Sequence, residues 1–252
     1  MSTTLDLMRH GEPVGGRKYR GQIDDPLSEK GWAQMRAAVG HTIPHALQPV
    51  ADRSPLGHTI PHALQPVERK GNGAAVGHLS ASPLRGESRS PLVGLIAPWS
   101  RIVSSPLLRC RAFAEELAAQ RGLPLHFENR LKEIGFGVWE GKTAFDIERE
   151  APGTLARFKT DPVHARPDGA EPLADFYARV AAGLGEILAH HDGEHVLVVC
   201  HAGVIRMALA HALEIPLANA YRIEVASAGL TRLRIEDGRA SLVFHDGVIR
   251  DQ

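Results

Sequence analysis

Two histidines stand out because each follows an apolar run and leads into a glycine-containing turn: Leu7-Met8-Arg9-His10-Gly11-Glu12 and Val199-Cys200-His201-Ala202-Gly203. A neutral imidazole serves as nucleophile or acid-base group near pH 7. Both sit where a buried strand would end, the edge at which open α/β sheets place ligands. A third segment, Ser104-Ser105-Pro106-Leu107-Leu108-Arg109, also follows an apolar stretch and opens a helical pattern. Arg109 then falls in the first helical turn, where free backbone N–H groups and the dipole also favour an anion. Arg9, His10, Arg109 and His201 converging on one edge would make an electropositive pocket suited to a tetrahedral phosphoryl group. Gly11 and Gly203 would let the backbone approach a ligand closely.

The elements that must position these residues alternate along the chain. Thr4 to Met8 reads as a strand, and Ser28 caps a helix from about Glu29 to Val39 with Trp32, Met35 and Val39 on one face. Arg101 to Ser104 is a second strand, followed by a helix from Pro106 to Arg121 that stops at Gly122 and Pro124. Leu173 to His190 has the period of an amphipathic helix, with Phe176, Val180 and Leu184 in register. His195 to Cys200 is a buried strand, Val204 to Leu213 a helix, and Glu224 to Ile235 and Ala240 to Phe244 are strands around Asp237-Gly238. This order predicts an α/β fold, a three-layer sandwich whose largely parallel central sheet is covered on both faces.

Between Trp32 and Trp99 the pattern lapses. There is no aromatic residue, and Gly40 to Val50 recurs unchanged as Gly57 to Val67. With prolines breaking both periodicities, about 40–94 is expected to be a low-complexity insertion in a single domain spanning 1–252. Its histidines His41, His45, His58, His62 and His78 are assigned no catalytic role, and no metal is expected there.

The chain of 252 residues carries 29 Lys and Arg against 29 Asp and Glu, so no global field attracts nucleic acid or a membrane surface. Two cysteines, Cys110 and Cys200, make no disulfide framework, and no targeting or membrane-spanning segment is visible. The expected setting is cytoplasmic, the expected partner is a small-molecule phosphate ester, and homodimerisation is left open.

Taken in order, Arg9-His10-Gly11, the stretch Ser105 to Arg109, the segment Glu133-Ile-Gly-Phe-Gly137-Val-Trp139-Glu140-Gly141 and His201-Ala202-Gly203 resemble the motif set of the histidine phosphatase, or phosphoglycerate mutase-like, superfamily. The resemblance covers nearly all the chain outside the insertion. Ser82-Pro83-Leu84-Arg85 is a decoy, because its arginine falls one residue short of the spacing and no apolar strand precedes it. The resemblance implies a phosphoglycerate mutase-like fold, no cofactor and no metal. It makes His10 the nucleophile, Arg9, Arg109 and His201 the holders of the phosphoryl oxygens, and Glu133 the acid for the leaving group. Glu12 and Glu140 are the competing carboxylates. Gly11, Arg20, Gln22 and Ala202 join Arg9, Arg109 and His201 as expected substrate contacts.

Within the superfamily the stretches Arg20 to Ser28, Ser104 to Arg111 and Pro167-Asp-Gly-Ala-Glu171 are most similar to α-ribazole phosphatases, which implies removal of a 5′-phosphate in cobalamin assembly. Where many relatives carry an asparagine after the first motif, this chain has Gly15-Gly16-Arg17, and Arg17, Lys18 and Arg20 are the candidate replacements. The alternatives are a mutase or broad sugar-phosphate phosphatase and, from another class, a non-catalytic phospho-ligand or protein-binding module that uses the histidine-rich repeat.

Overall fold

The computed structural model describes residues 2–40 and 99–247, so the repeat at about 40–94 lies, apart from Gly40, outside the described residues. Apolar residues alternate along the strands and divide between two cores. Leu5, Leu7, Val196, Val198 and Cys200 face one side. Met8, Leu197 and Val199 face the other, as the two-residue period of a strand requires.

Strands β1 (Ser2–Arg9), β2 (Arg101–Ser104), β3 (Leu125–Phe127), β4 (His195–Cys200), β5 (Leu230–Glu236) and β6 (Arg239–Gly247) form one sheet in the order β3-β2-β4-β1-β5-β6. β3, β2, β4 and β1 are mutually parallel. β5 and β6 extend the sheet antiparallel from β1. Helices α1 (Glu29–Ala38) and α2 (Leu108–Arg121) supply Met35, Phe113 and Leu117 to one core. Helices α3 (Ala144–Glu150), α4 (Thr154–Thr160), α5 (Leu173–His190) and α6 (Ala202–Ala212) pack on the opposite face. The α/β three-layer architecture expected from the alternation is therefore the one observed. Among the described residues, no helix is long and apolar enough to cross a membrane.

Several boundaries differ from expectation, each for a local reason. α2 starts at Leu108 instead of Pro106, because Leu107 is extended and serves as the N-cap, and the Asp24 carboxylate from the loop after β1 accepts the Leu108 N–H. Asp24 thus occupies the anion position that the sequence reading left for a ligand. α6 starts at Ala202 with His201 as its N-cap. The strand expected over 224–235 begins only at Leu230. Residues 224–229 turn behind the first motif instead: Val225 O accepts from Arg9, the Asp246 carboxylate accepts the Ala226 N–H, and Ala228 has φ of 59°. β3, α3 and α4 were not anticipated. With three, seven and seven residues they are too short for periodicity, and α3 depends on a Thr143–Asp146 capping box.

β1 is fastened by a buried carboxylate. Asp6 accepts from Arg232 Nε at 2.7 Å and Nη2 at 2.9 Å, from Trp99 Nε1 at 2.8 Å, and pairs with His195 Nε2 at 3.0 Å. Burial works to raise its pKa, but the bonds from Arg232, His195 and Trp99 prevail and lower it.

Candidate active site

β2, β4 and β1 are neighbours in the sheet, so the turns leaving their carboxyl ends meet. The backbone closes that edge: His10 N donates to Cys200 O at 3.0 Å, and Ser105 N to Val199 O at 2.9 Å. His10 and His201 face each other edge-on with ring centroids 5.2 Å apart. Both are buried, as is Arg109.

The His10 ring is oriented by its own turn. Nδ1 lies 2.7 Å from Gly11 O, and only a protonated nitrogen bonds a carbonyl, so Nδ1 is the donor and Nε2 carries the lone pair. Burial, then Arg109 and Arg9, hold the His10 pKa well below the usual imidazole range. His201 is shifted the same way by burial, Arg109, His10 and Arg9. Its Nε2 lies 2.8 Å from the Ser105 hydroxyl, and Cys110 Sγ packs 3.6 Å from the ring. Burial pushes the Cys110 thiol up, so the sulfur beneath His201 is a neutral packing group.

Arg109 donates through Nη1 to Ile23 O at 2.7 Å and through Nη2 to Gly21 O at 2.8 Å. Nε of Arg109 and Nε of Arg9 are buried with no acceptor among the described residues. Unpaired buried donors of this kind are rare unless a ligand or water supplies the acceptor. The site thus pairs a neutral, lone-pair-bearing imidazole with two guanidiniums that have unused donors.

Of the three candidate carboxylates, Glu133 reaches this edge. Its Oε2 accepts the Gly203 N–H at 3.2 Å and its Oε1 the Ile134 N–H at 3.1 Å, and the α6 dipole favours a negative group there. Glu12 instead pairs with Lys30 at 2.8 Å. Glu140 accepts the N–H groups of Phe136 at 3.0 Å and Gln22 at 3.2 Å, bolting two loops together.

The glycines act differently from the sequence reading. A Cβ on Gly11 would lie 2.2 Å from Gly31 O, so Gly11 is needed for the close crossing of the β1 turn over α1. A Cβ on Gly203 would lie 2.1 Å from Glu133 Oε1, so that glycine makes room for the carboxylate. Arg20, expected to contact substrate, is buried and turned into its own loop, donating to Asp25 at 2.7 Å and to Gly16 O at 2.6 Å. Gln22, Arg17 and Lys18 are exposed, and Ala202 opens α6 beside His201.

Sequence reasoning missed the residues that hold Glu133 in place. Arg179 on α5 donates to the carbonyls of Arg130 at 2.6 Å, Lys132 at 2.8 Å and Glu133 at 3.1 Å. Its Nε is paired with Glu171 at 2.6 Å, and Glu171 also accepts the Gly135 N–H at 3.2 Å. Glu171 closes the stretch Pro167 to Glu171 and Arg179 lies within the helical pattern Leu173 to His190, but nothing in their spacing shows that a distant loop is their target. Among the described residues, no three His, Cys, Asp or Glu side chains gather as metal ligands.

Comparison with known proteins adds the following. The sequence pattern of the histidine phosphatase superfamily (branch 1) matches residues 94–246. A bifunctional protein of Mycobacterium tuberculosis is 29% identical over 209 residues, 82% of this chain and 43% of that protein. An adenosylcobalamin/α-ribazole phosphatase of Salmonella typhimurium is 31% identical over 113 residues, 45% of this chain and 56% of the relative. The chain thus spans about half the length of these curated relatives. The solved structure of Bacillus stearothermophilus YhfR superposes with a TM-score of 0.69 at 24% identity, covering 98% of each chain.

Proposed function

The chain belongs to the histidine phosphatase superfamily, and from that premise we propose that it hydrolyses phosphate monoesters through a phosphohistidine on His10. The observation that carries this reading is the Nδ1–H of His10 bonded to Gly11 O at 2.7 Å, which leaves Nε2 free beside Arg9, Arg109 and His201.

In the first step Nε2 attacks phosphorus as the ester P–O bond breaks, and Glu133 delivers a proton to the departing alkoxide. Arg9 and Arg109 offset charge on the transferring oxygens through Nε donors that have no partner among the described residues. His201 contributes its ring N–H, and the arriving phosphate dianion opposes the arginine field that, after burial, helps to hold the ring neutral. In the second step a water attacks the phosphohistidine, the Glu133 carboxylate takes the proton, and inorganic phosphate leaves.

The name of the Salmonella relative favours α-ribazole 5′-phosphate. However, the stretch 167–171 that suggested it serves the Glu133 loop: Glu171 bonds Gly135 N, and Gly137 crosses the backbone of 168–170 too closely for a Cβ. That scaffolding would suit any alcohol. A panel of α-ribazole 5′-phosphate, 3-phosphoglycerate and fructose 2,6-bisphosphate ranks the substrates.

The test of the reaction is turnover of an aryl phosphate. It should survive chelators, disappear in His10→Ala and leave an acid-labile phosphoryl label on His10 when quenched. Activity lost to EDTA and restored by a divalent metal would overturn the reading.

A further inference from the structure

Two arginines that the reaction does not use stand on elements adjoining Glu133. On one side its carboxylate rests on the Gly203 N–H, and Arg206, three residues on, lies one turn further along the same face of α6. On the other side Arg166 Nη2 donates at 3.3 Å to the carbonyl of Gly135, two residues beyond Glu133.

Both guanidiniums stack on one aromatic cluster. Arg206 Cζ is 5.2 Å from the Tyr221 ring, and Arg166 Cζ is 5.9 Å from the rings of both Phe136 and Phe158. Phe158 and Tyr221 meet edge to face at 4.8 Å, which closes the cluster between the two cations. The Tyr221 phenol senses the whole group: burial raises its pKa, Arg166 and Arg206 oppose the rise, and Glu133 adds to it.

These arginines differ from those that hold the fold together. Arg179 and Arg232 each face a carboxylate, Glu171 and Asp6. Among the described residues, neither Arg166 nor Arg206 has an ion-pair partner within 4.0 Å. Arg206 Nε donates to Ile223 O at 2.9 Å, while Nε and Nη1 of Arg166 make no well-formed hydrogen bond among the described residues, the guanidinium lying beside the Tyr221 hydroxyl. A half-buried guanidinium with two nitrogens short of a full acceptor is a polar arrangement that a bound anion would complete.

We infer that Arg166 and Arg206 form a second anion subsite beside Glu133, and that the ester hydrolysed carries a second anionic group, a carboxylate or a phosphate, on its departing alcohol. The inference rests on the reading of Glu133 as the acid that faces that alcohol. An uncharged alcohol such as α-ribazole would leave the subsite unfilled.

The test measures binding, so that it is independent of turnover. In a His10→Ala background, calorimetry compares 3-phosphoglycerate with glycerol 3-phosphate, which lacks only the carboxylate charge, and fructose 1,6-bisphosphate with fructose 6-phosphate. At least one doubly anionic ester should bind tenfold or more tightly than its partner, and which pair does so tells carboxylate from phosphate. The advantage should fall to within about twofold in Arg166→Gln and be partly kept in Arg166→Lys.

Equal affinities within both pairs, no binding of any ester, or an advantage unchanged in Arg166→Gln would overturn the subsite. Because the comparison of esters needs no change at Arg166, it stands even where a variant fails to fold. Turnover of an aryl phosphate without any advantage sinks the subsite alone. An advantage without turnover in the parent chain sinks the phosphatase reading alone.

Discussion

At the scale of single residues, His10 and His201 are two imidazoles buried 5.2 Å apart among arginines. Burial, with Arg109 and Arg9 adding to it, depresses both pKa values well below the usual range. The neutral state that suits a nucleophile has a consequence for stability. Below about pH 6.5 the unfolded chain binds protons at these positions while the folded chain does not, so stability rises with pH in that window and falls as the medium is acidified. Each histidine contributes a slope of about 1.4 kcal/mol per pH unit once the pH is well below that value. Urea unfolding at pH 7.5, 6.5 and 5.5 should therefore show a falling midpoint, with a shallower fall in His201→Gln. The same slope in parent and variant would mean that His201 takes up its proton while the protein is folded.

At the scale of elements, the site is a meeting of three strand ends and one loop held at a distance. Arg179 clamps three carbonyls of the 130–133 loop, and the first turn of α6 receives the Glu133 carboxylate. The Gly203 Cα is part of that seat. In Gly203→Ala the new methyl would lie 2.1 Å from Glu133 Oε1, the end of a flexible side chain, and 3.1 Å from Phe176 Cε1, so the carboxylate should move, the ring should give by a few tenths of an ångström and the fold should survive. Gly203→Ala is expected to reproduce Glu133→Gln: hydrolysis of an alkyl phosphate slowed by about 10²- to 10⁴-fold, and that of an aryl phosphate, whose leaving group needs little protonation, slowed far less. Paired rate measurements on the two esters check this. Equal losses on both would reassign Glu133 to a structural role.

At the scale of the whole molecule, the repeat-bearing stretch interrupts the connection between α1 and β2. β2 begins at Arg101, paired with Val196 near the start of β4, at the edge opposite His10, Ser105 and His201. We propose that it can be shortened. Deleting His41 through Gly77 and joining Gly40 to His78 keeps one copy of Ala-Ala-Val-Gly-His. By the logarithmic rule, even a tenfold change in loop length alters closure entropy by only about 2 kcal/mol. The shortened chain should fold, be at least as stable in thermal unfolding, and turn over an aryl phosphate within a few-fold of the parent. A folded variant slowed a hundredfold would mean that the repeat reaches the site or a required assembly.

Read alone, the chain already shows the alternation of strands and helices, the cores on either side of the sheet, the strand-end positions of His10 and His201 and the place of Arg109 in the first turn of a helix. All of these follow from local periodicity and from where apolar runs stop. α5 was legible at both ends, Leu173 and His190, because a long amphipathic pattern carries its own signal. Which carboxylate faces the pocket is fixed in three dimensions, since Glu12, Glu133 and Glu140 are alike in type and their partners, Lys30, Gly203 and Phe136, lie on different elements. The tertiary structure also turned Arg20 inward to Asp25 and, among the described residues, left Arg166 without an acid. A charged side chain's role depends on what faces it across space, and spacing along the chain does not record that.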